Sequence, residues 1–297
     1  MNQKYFLQLM ALSVLWSMSF PFTRYASPLL GFNLLVSIRM GLAALTLGLL
    51  MLLLKHRWPT EHWRELLFLG IIAVAGPHIL YSWSALYLPA GYAALLSVTS
   101  VLFGAIASAW MRVEAMTQGR LAGCLLGIVG AALVVRLGPV EVTPILVVSA
   151  LTCMLGSAMS GISAPLLKRS IERMEPLAIT AGMHLAGALI LLPGGIHDWP
   201  EAKLDPLALG AVLIMGVMTS GLAWWAFLRI MRHIPSVAAL GANFMITGFG
   251  VLWGVIFLDE ATSVALYAGG MLIFVAVMLV TGFNPLRPAD GLGRRDS

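Results

Sequence analysis

This sequence predicts an all-α integral membrane protein: ten transmembrane helices arranged as two inverted five-helix repeats. The first observation behind this is composition. Sixty per cent of the 297 residues are apolar and 10% are charged, where a soluble domain carries about 25% charge. The charges cluster, leaving apolar stretches of about 20 residues, the length that crosses a bilayer core. Strands of alternating polarity, as a membrane barrel needs, are absent. The second observation is an internal repeat. Residues 89–134 match residues 235–280 without a gap, 146 positions apart: Pro89 meets Pro235, Phe103-Gly104 meets Phe249-Gly250, Glu114-Ala115 meets Glu260-Ala261, and Ala122-Gly123 meets Ala268-Gly269. Twelve of 46 aligned pairs are identical, against roughly one in ten expected by chance in so apolar a chain. The third observation is that Lys and Arg sort to one side of the spans.

The spans are read at about 5–24, 32–54, 66–87, 92–111, 119–136, 145–166, 177–196, 206–228, 236–257 and 263–283. Turn residues punctuate them. Pro28 and Gly31 separate the first two, and Leu88 to Gly91 the third and fourth. Gly138-Pro139 and Pro144 mark the mid-chain break, while Pro235 and Asp259-Glu260 bracket the ninth. Lys4 precedes the first apolar run, as in a signal peptide, but that run is long and further spans follow. It is read as a retained helix. Cys124 and Cys153 fall inside spans without ligand-like neighbours, so neither a disulfide framework nor a metal site is expected. No cofactor and no nucleic-acid partner is expected either; the formal charge of +5 is a topology signal.

Ten spans put both termini on one side. With that side cytoplasmic, 14 Lys and Arg lie inside: Lys4, Lys55, Arg57, Arg64, Arg112, Arg120, Lys168, Arg169, Arg173, Arg229, Arg232, Arg287, Arg294 and Arg295. Three lie outside, Arg24, Arg136 and Lys203, and Arg39 lies within a span. This positive-inside bias favours cytoplasmic N- and C-termini. Five spans per half is an odd number, so the halves insert in opposite directions. The starts of the halves match at an offset of 144, where Pro21 meets Pro165, Arg24 meets Lys168, and Ala44-Leu45 meets Ala188-Leu189. Residues 1–140 and 141–284 are thus the two repeats, and 285–297 a short cytoplasmic tail expected to be disordered.

At this point the chain resembles the EamA-type drug/metabolite transporters. The resemblance rests on the two five-span halves, the run Ala85-Leu86-x-x-Pro89-Ala90-Gly91-x-Ala93-Ala94-Leu95-Leu96, Glu114 ending the fourth span, Trp16, Arg39 after Ile38, and Asp259-Glu260. It covers about residues 5 to 283 and points to bacterial exporters of aromatic and neutral amino acids. It implies a multi-pass protein of the bacterial inner membrane, a monomer or weak homodimer. It also implies a basket-shaped cavity lined by spans 1, 3, 4, 6, 8 and 9, with 5 and 10 as supports. Ser100 stands where the family commonly has proline, which puts the kink expected there in question. Inverted repeats alternate between two related conformations, with the site at their interface near the midplane.

Polar and aromatic residues inside spans are the candidate substrate contacts, because a helix in lipid carries them for a reason. His78, Tyr81, Ser82 and Ala85 share one face of the third span. Across the repeat, His78 aligns with Trp224 and Tyr81 with Phe227. The functional reading is a wall that hydrogen-bonds and stacks on a small zwitterion; the alternative is packing between helices. On that reading His78→Ala or Tyr81→Ala abolishes transport. Trp16, Ser19, Phe20 and Thr23 form a similar face on the first span. Asn243 and Thr247 lie a turn apart on the ninth, and Thr99, Ser100 and Phe103 are candidates on the fourth. Ser157, Ser160 and Ser163 read as helix-packing residues, as do Gly123-x-x-x-Gly127 and Gly250-x-x-x-Gly254. Arg39 is a carboxylate anchor or a structural residue; the structural reading is favoured because span 2 sits off the implied cavity.

No Asp or Glu lies deep in a span, so His78 or His184 is the group available for proton coupling, which a uniporter or exchanger does not need. An intramembrane hydrolase using Ser163 and His184 rests only on Gly161-x-Ser163, a weak match. A phosphate-ester carrier would need several cavity cations. A hydrophobic-drug or lipid exporter would suit an aromatic wall. Small metabolites, amino acids above all, remain the reading, with no enzymatic activity.

Overall fold

A computed structural model describes residues 1–88, 90–134, 141–258 and 264–283. Expectations placed on Pro89, Arg136, Gly138-Pro139, Asp259-Glu260 and the tail lie outside the described residues, as do those on the side chains of Phe20, Arg24, Ala85 and Gly254. Among the described residues every regular element is helical. Within those residues seven helical runs are long and apolar enough to cross a membrane, and three shorter apolar helices cover 118–134, 236–250 and 267–281.

The helices described in the first half group into five rods. α1 runs over Gln3–Ser17 and resumes at Ser19–Leu30; the break at Met18 follows from Pro21, which has no N–H to donate to the Ser17 carbonyl. α2 is Phe32–Leu53. α3 comprises Trp63–Leu69, a π-helical stretch Gly70–Ala75, and Gly76–Ala85. Pro77 follows that stretch and likewise frees a carbonyl. α4 is Ala90–Val98 and Ser100–Trp110, and α5 is Gln118–Val134. At the position where Ser100 put a kink in question the α-helix is interrupted at Thr99, whose hydroxyl donates to the Leu96 carbonyl at 2.5 Å, while Ser97 donates to the Ala94 carbonyl at 2.8 Å. Hydroxyls that bond the preceding turn bend helices without a proline.

The second half repeats the plan. α6 is Pro144–Arg173, α7 Pro176–Asp198, α8 Pro206–Ile214 with a π-helical stretch Met215–Leu222 and then Ala223–Met231, α9 Ser236–Leu240 and Ala242–Leu258, and α10 Val264–Thr281. α6 continues past the expected end at 166. Its last turns are held by Lys168, which donates to the carbonyls of Met231, Arg232 and Ile234, and by Arg169 donating to Met111. Arg173 pairs with Glu65 at 3.0 Å.

Glycines reveal the symmetry. A Cβ on Gly123 would lie 2.8 Å from a Val280 methyl, and one on Gly269 would lie 2.6 Å from a Val134 methyl. Gly123 and Gly269 are repeat partners, and so are Val134 and Val280. A contact in which residue i meets j, and the partner of j meets the partner of i, is the mark of a two-fold relation. α5 and α10 therefore pack antiparallel and reciprocally. The same holds elsewhere. Gly70 in the π stretch of α3 presses on Ala186 and the Met183 carbonyl of α7. Gly216 in the π stretch of α8 presses on Leu42 and the Arg39 carbonyl of α2. These pairs correspond at offsets of 146 and 144. Gly127 meets the Phe244 ring of α9, so Gly123 and Gly127 serve internal contacts.

One end of the bundle is tied together by polar side chains. Glu114 accepts from the Ser236 backbone N–H and, at 2.7 Å, from its hydroxyl. Arg120 stands 3.1 Å from the second carboxylate oxygen, as an ion pair without hydrogen-bond alignment. Arg232 pairs with Glu175 at 3.3 Å. At the same end the Met1 ammonium donates to the Gly282 carbonyl at 3.0 Å, and Phe6 stacks on Phe283. Residues 1 and 282 thus meet on one face.

Candidate functional site

A cavity of about 200 Å³ opens where α1, α2, α6, α8 and α9 converge. Its wall includes Trp16, Arg39, Ser160, Ser163, Trp224, Phe227, Asn243 and Ile246. Three of these form a ring cluster. Trp16 meets Trp224 edge-on at 6.0 Å and Phe227 at 5.3 Å, and Trp224 meets Phe227 at 5.7 Å. Such tilted pairs match the ring quadrupoles. They present apolar faces with one polar edge, the usual make-up of a small-molecule wall.

The π stretch of α8 organises the polar side. A π turn shifts the hydrogen-bond register and frees carbonyls for other donors. The Thr219 carbonyl accepts the Trp16 indole N–H at 2.8 Å. The Thr219 hydroxyl donates to Met215 at 2.7 Å and accepts from Ser19 at 3.4 Å and Arg39 Nη2 at 3.1 Å. Arg39 Nε donates to the Ser220 hydroxyl at 2.5 Å. Thr219 and Ser220 are buried. One turn thus ties α1, α2 and α8 together and holds a guanidinium at the cavity edge.

The remaining candidates take other places. Asn243 lines the cavity and donates to Ser100 at 2.9 Å, joining α9 to α4; the Thr247 hydroxyl donates to the Asn243 carbonyl at 3.0 Å. His78 and Tyr81 do not line this cavity. His78 Nδ1 stands 2.6 Å from the Val74 carbonyl of its own helix, and Ser82 bonds the His78 carbonyl. Tyr81 donates to Ser157 of α6 at 3.2 Å, and Ser157 donates on to Leu96 of α4 at 2.9 Å. Thr99 is spent on its own helix, and Phe103 packs against Gly161. Thr23 contacts the Met215 sulfur. Span 2, expected to sit off the implied cavity, contributes Arg39 to the wall of this one, where Gly216 lets α8 approach the Arg39 backbone closely. Ser160 and Ser163, read as packing residues, also line it.

His184 is fully buried, with Nδ1 at 2.9 Å from the Thr180 carbonyl, its ring 5.8 Å from Trp224, and Nε2 without a hydrogen-bond partner among the described residues. Ser163 donates to Ser160 at 2.7 Å. No hydrogen bond joins Ser163 to His184, so the pairing a hydrolase needs is not formed.

The EamA-like transporter family matches this sequence twice, at residues 3–136 and 147–282. The chain belongs to the EamA-like transporter family. Two relatives match over nearly their whole length. An uncharacterised transporter, YvbV, of Bacillus subtilis is 24% identical over 95% of this chain and 93% of its own. A protein of Streptantibioticus cattleyicolor named "Probable terminal-alkyne amino-acid exporter" is 23% identical over 95% of each. A solved crystal structure superposes with a TM-score of 0.81 over 95% of this chain and 99% of its own, at 19% identity; it shows the fold. This EamA-like chain is a multi-pass membrane transporter, and the match falls on both repeats.

Sequence reasoning missed Thr219 and Ser220. A Met-Thr-Ser-Gly run inside an apolar span was a signal of sorts, but nothing in it announces a π turn. It also missed that one residue of the second span, rather than a face of the third, reaches this cavity.

Proposed function

We propose that this transporter exports small metabolites, amino acids above all, from the bacterial cytoplasm by alternating access of its two halves. The observation that carries the reading is the cavity itself. It is built from both repeats, walled by Trp16, Trp224 and Phe227, and edged by Arg39 and Asn243. Its volume lies below the roughly 300–1,000 Å³ of drug-sized sites, which favours a small solute over a lipid or bulky drug. The relative named as an amino-acid exporter supports the substrate class.

The topology proposed is ten spans, with α5, α9 and α10 crossing together with the seven longer runs. Reciprocal glycine contacts support opposite insertion of the halves, and the meeting of residues 1 and 282 on one face supports an even number of crossings. The excess of Lys and Arg at that face supports a cytoplasmic placement. A cavity at the repeat interface then opens to each side in turn as one half rocks against the other. Counterflow of a labelled amino-acid panel into proteoliposomes, with and without a proton gradient, tests the proposal. Saturable uptake of at least one amino acid against an unlabelled internal pool is expected. Absence of exchange across the panel overturns it.

A further inference from the structure

We infer that the transported solute carries a carboxylate, and that Arg39 binds it through the open end of its guanidinium. This rests on the proposal that the cavity is the transport site. Arg39 is the one Lys or Arg in the middle of a span, where a formal charge is expensive and marks substrate pathways. Among the described residues no carboxylate pairs with it. Its partners among the described residues are two neutral hydroxyls, at 2.5 and 3.1 Å. A guanidinium has five N–H donors. Two are used, by Ser220 on Nε and Thr219 on Nη2, which leaves three. The free donors are both on Nη1 and one on Nη2, the end-on fork that fits the two oxygens of a carboxylate. The side-on fork is the one tied down, so the group is fixed in direction with its binding edge unsatisfied. That edge belongs to a residue in the cavity wall, beside Trp16, Trp224 and Phe227.

The repeat sharpens the point. The partner of Arg39 at the 144-residue offset is Met183, which is fully buried in the core. The charge therefore serves no symmetric structural need. A helix in the same place of the same fold packs with a thioether. What Arg39 adds is a counter-charge waiting for an anion. A zwitterion also carries an ammonium, for which the Asn243 side-chain oxygen and the Ser160 and Ser163 side chains are the neutral polar groups of wall residues.

The test is binding to the purified full-length protein in detergent, by thermophoresis or calorimetry. The probes are matched pairs: L-phenylalanine and phenylalaninamide, L-leucine and leucinamide, 3-phenylpropionate and phenethylamine. The acid of at least one pair is expected to bind roughly tenfold to a hundredfold more tightly than its uncharged or cationic mate. Arg39→Gln is expected to erase that preference. Ser220→Ala is expected to keep it, because it removes a support and leaves the charge, whereas a purely structural role for Arg39 makes the two variants behave alike. Equal binding of acid and amide throughout, or an acid preference that survives Arg39→Gln, overturns the inference. Should Arg39→Gln not fold, the wild-type comparison still decides. The two ideas fail separately. No exchange of any amino acid removes the proposed substrate, while Arg39-dependent binding of 3-phenylpropionate keeps the carboxylate site. Exchange of amino acids with no acid preference does the reverse.

Discussion

Replacing Gly123 or Gly269 by leucine perturbs the two-fold seam between α5 and α10 at equivalent points. A Cβ on Gly123 would stand 2.8 Å from Val280 Cγ2, 2.9 Å from Leu279 Cβ and 3.1 Å from the Ala276 carbonyl. On Gly269 it would stand 2.6 Å from Val134 Cγ2, 2.7 Å from the Gly130 carbonyl and 2.9 Å from Leu133 Cβ. Each new side chain meets backbone, so the helices must separate. Overpacking of this kind costs about 3 kcal/mol at the upper end of its usual range, offset by about 0.8 kcal/mol for replacing a helical glycine. Each single variant is expected to lose about 2 kcal/mol. The double variant is expected to lose nearer 3 than 4 kcal/mol, because one separation accommodates both side chains and contacting sites couple. Reversible unfolding in mixed dodecyl-sulfate and mild-detergent micelles measures all three. Free tolerance at one glycine with a large loss at the other, or full additivity, refutes the reciprocal seam.

The other predictions concern the polar ties. Trp16→Phe removes the indole donor from the Thr219 carbonyl; a loss of about 0.6 to 1.7 kcal/mol, the range for hydrogen bonds between membrane helices, is expected in the same assay. Tyr81→Phe removes a bond to Ser157 outside the cavity, so about 0.6 kcal/mol of stability and less than a twofold change in exchange rate are expected; abolished exchange would return Tyr81 to the substrate wall. Glu114→Ala strands the Ser236 N–H and Arg120 and is expected to cost about 1–3 kcal/mol. Glu114→Gln keeps an acceptor and is expected to cost less than half of that; equal losses would show that charge, and not capping, is what Glu114 supplies.

Much of the scaffold was legible because lipid imposes a simple rule. Apolar stretches of span length must be helical, since unpaired backbone groups have no water to turn to. The 146-residue repeat was legible because its most constrained members, Gly123 and Gly269, have no room for any other side chain. The breaks were less so. Pro21 announces the one in α1, but that in α4 falls beside the back-bonded hydroxyls of Ser97 and Thr99, and a bond of the same kind leaves α6 unbroken at Ser163. The site was only half legible. Trp16, Trp224, Phe227 and Asn243 were named from helical faces and the repeat, and all four line the cavity. His78 and Tyr81 were named by the same rule and turn instead to Val74 and Ser157. Periodicity finds a polar face, but it does not say whether the neighbour is a cavity or another helix. Arg39 needed the approach of α8, which depends on Gly216 and a register shift that no local pattern encodes.

Alternating exposure of this cavity is measurable with a single cysteine. Cys124 and Cys153 are buried and unpaired, so both can be replaced before Ser160, in the cavity wall, is changed to cysteine. Membrane-impermeant thiol reagents are then applied to right-side-out and inverted vesicles, with and without an exchanging amino acid. Labelling from one side at rest, and from both sides during exchange, is expected. Labelling from neither side, or from the same single side under every condition, would contradict it.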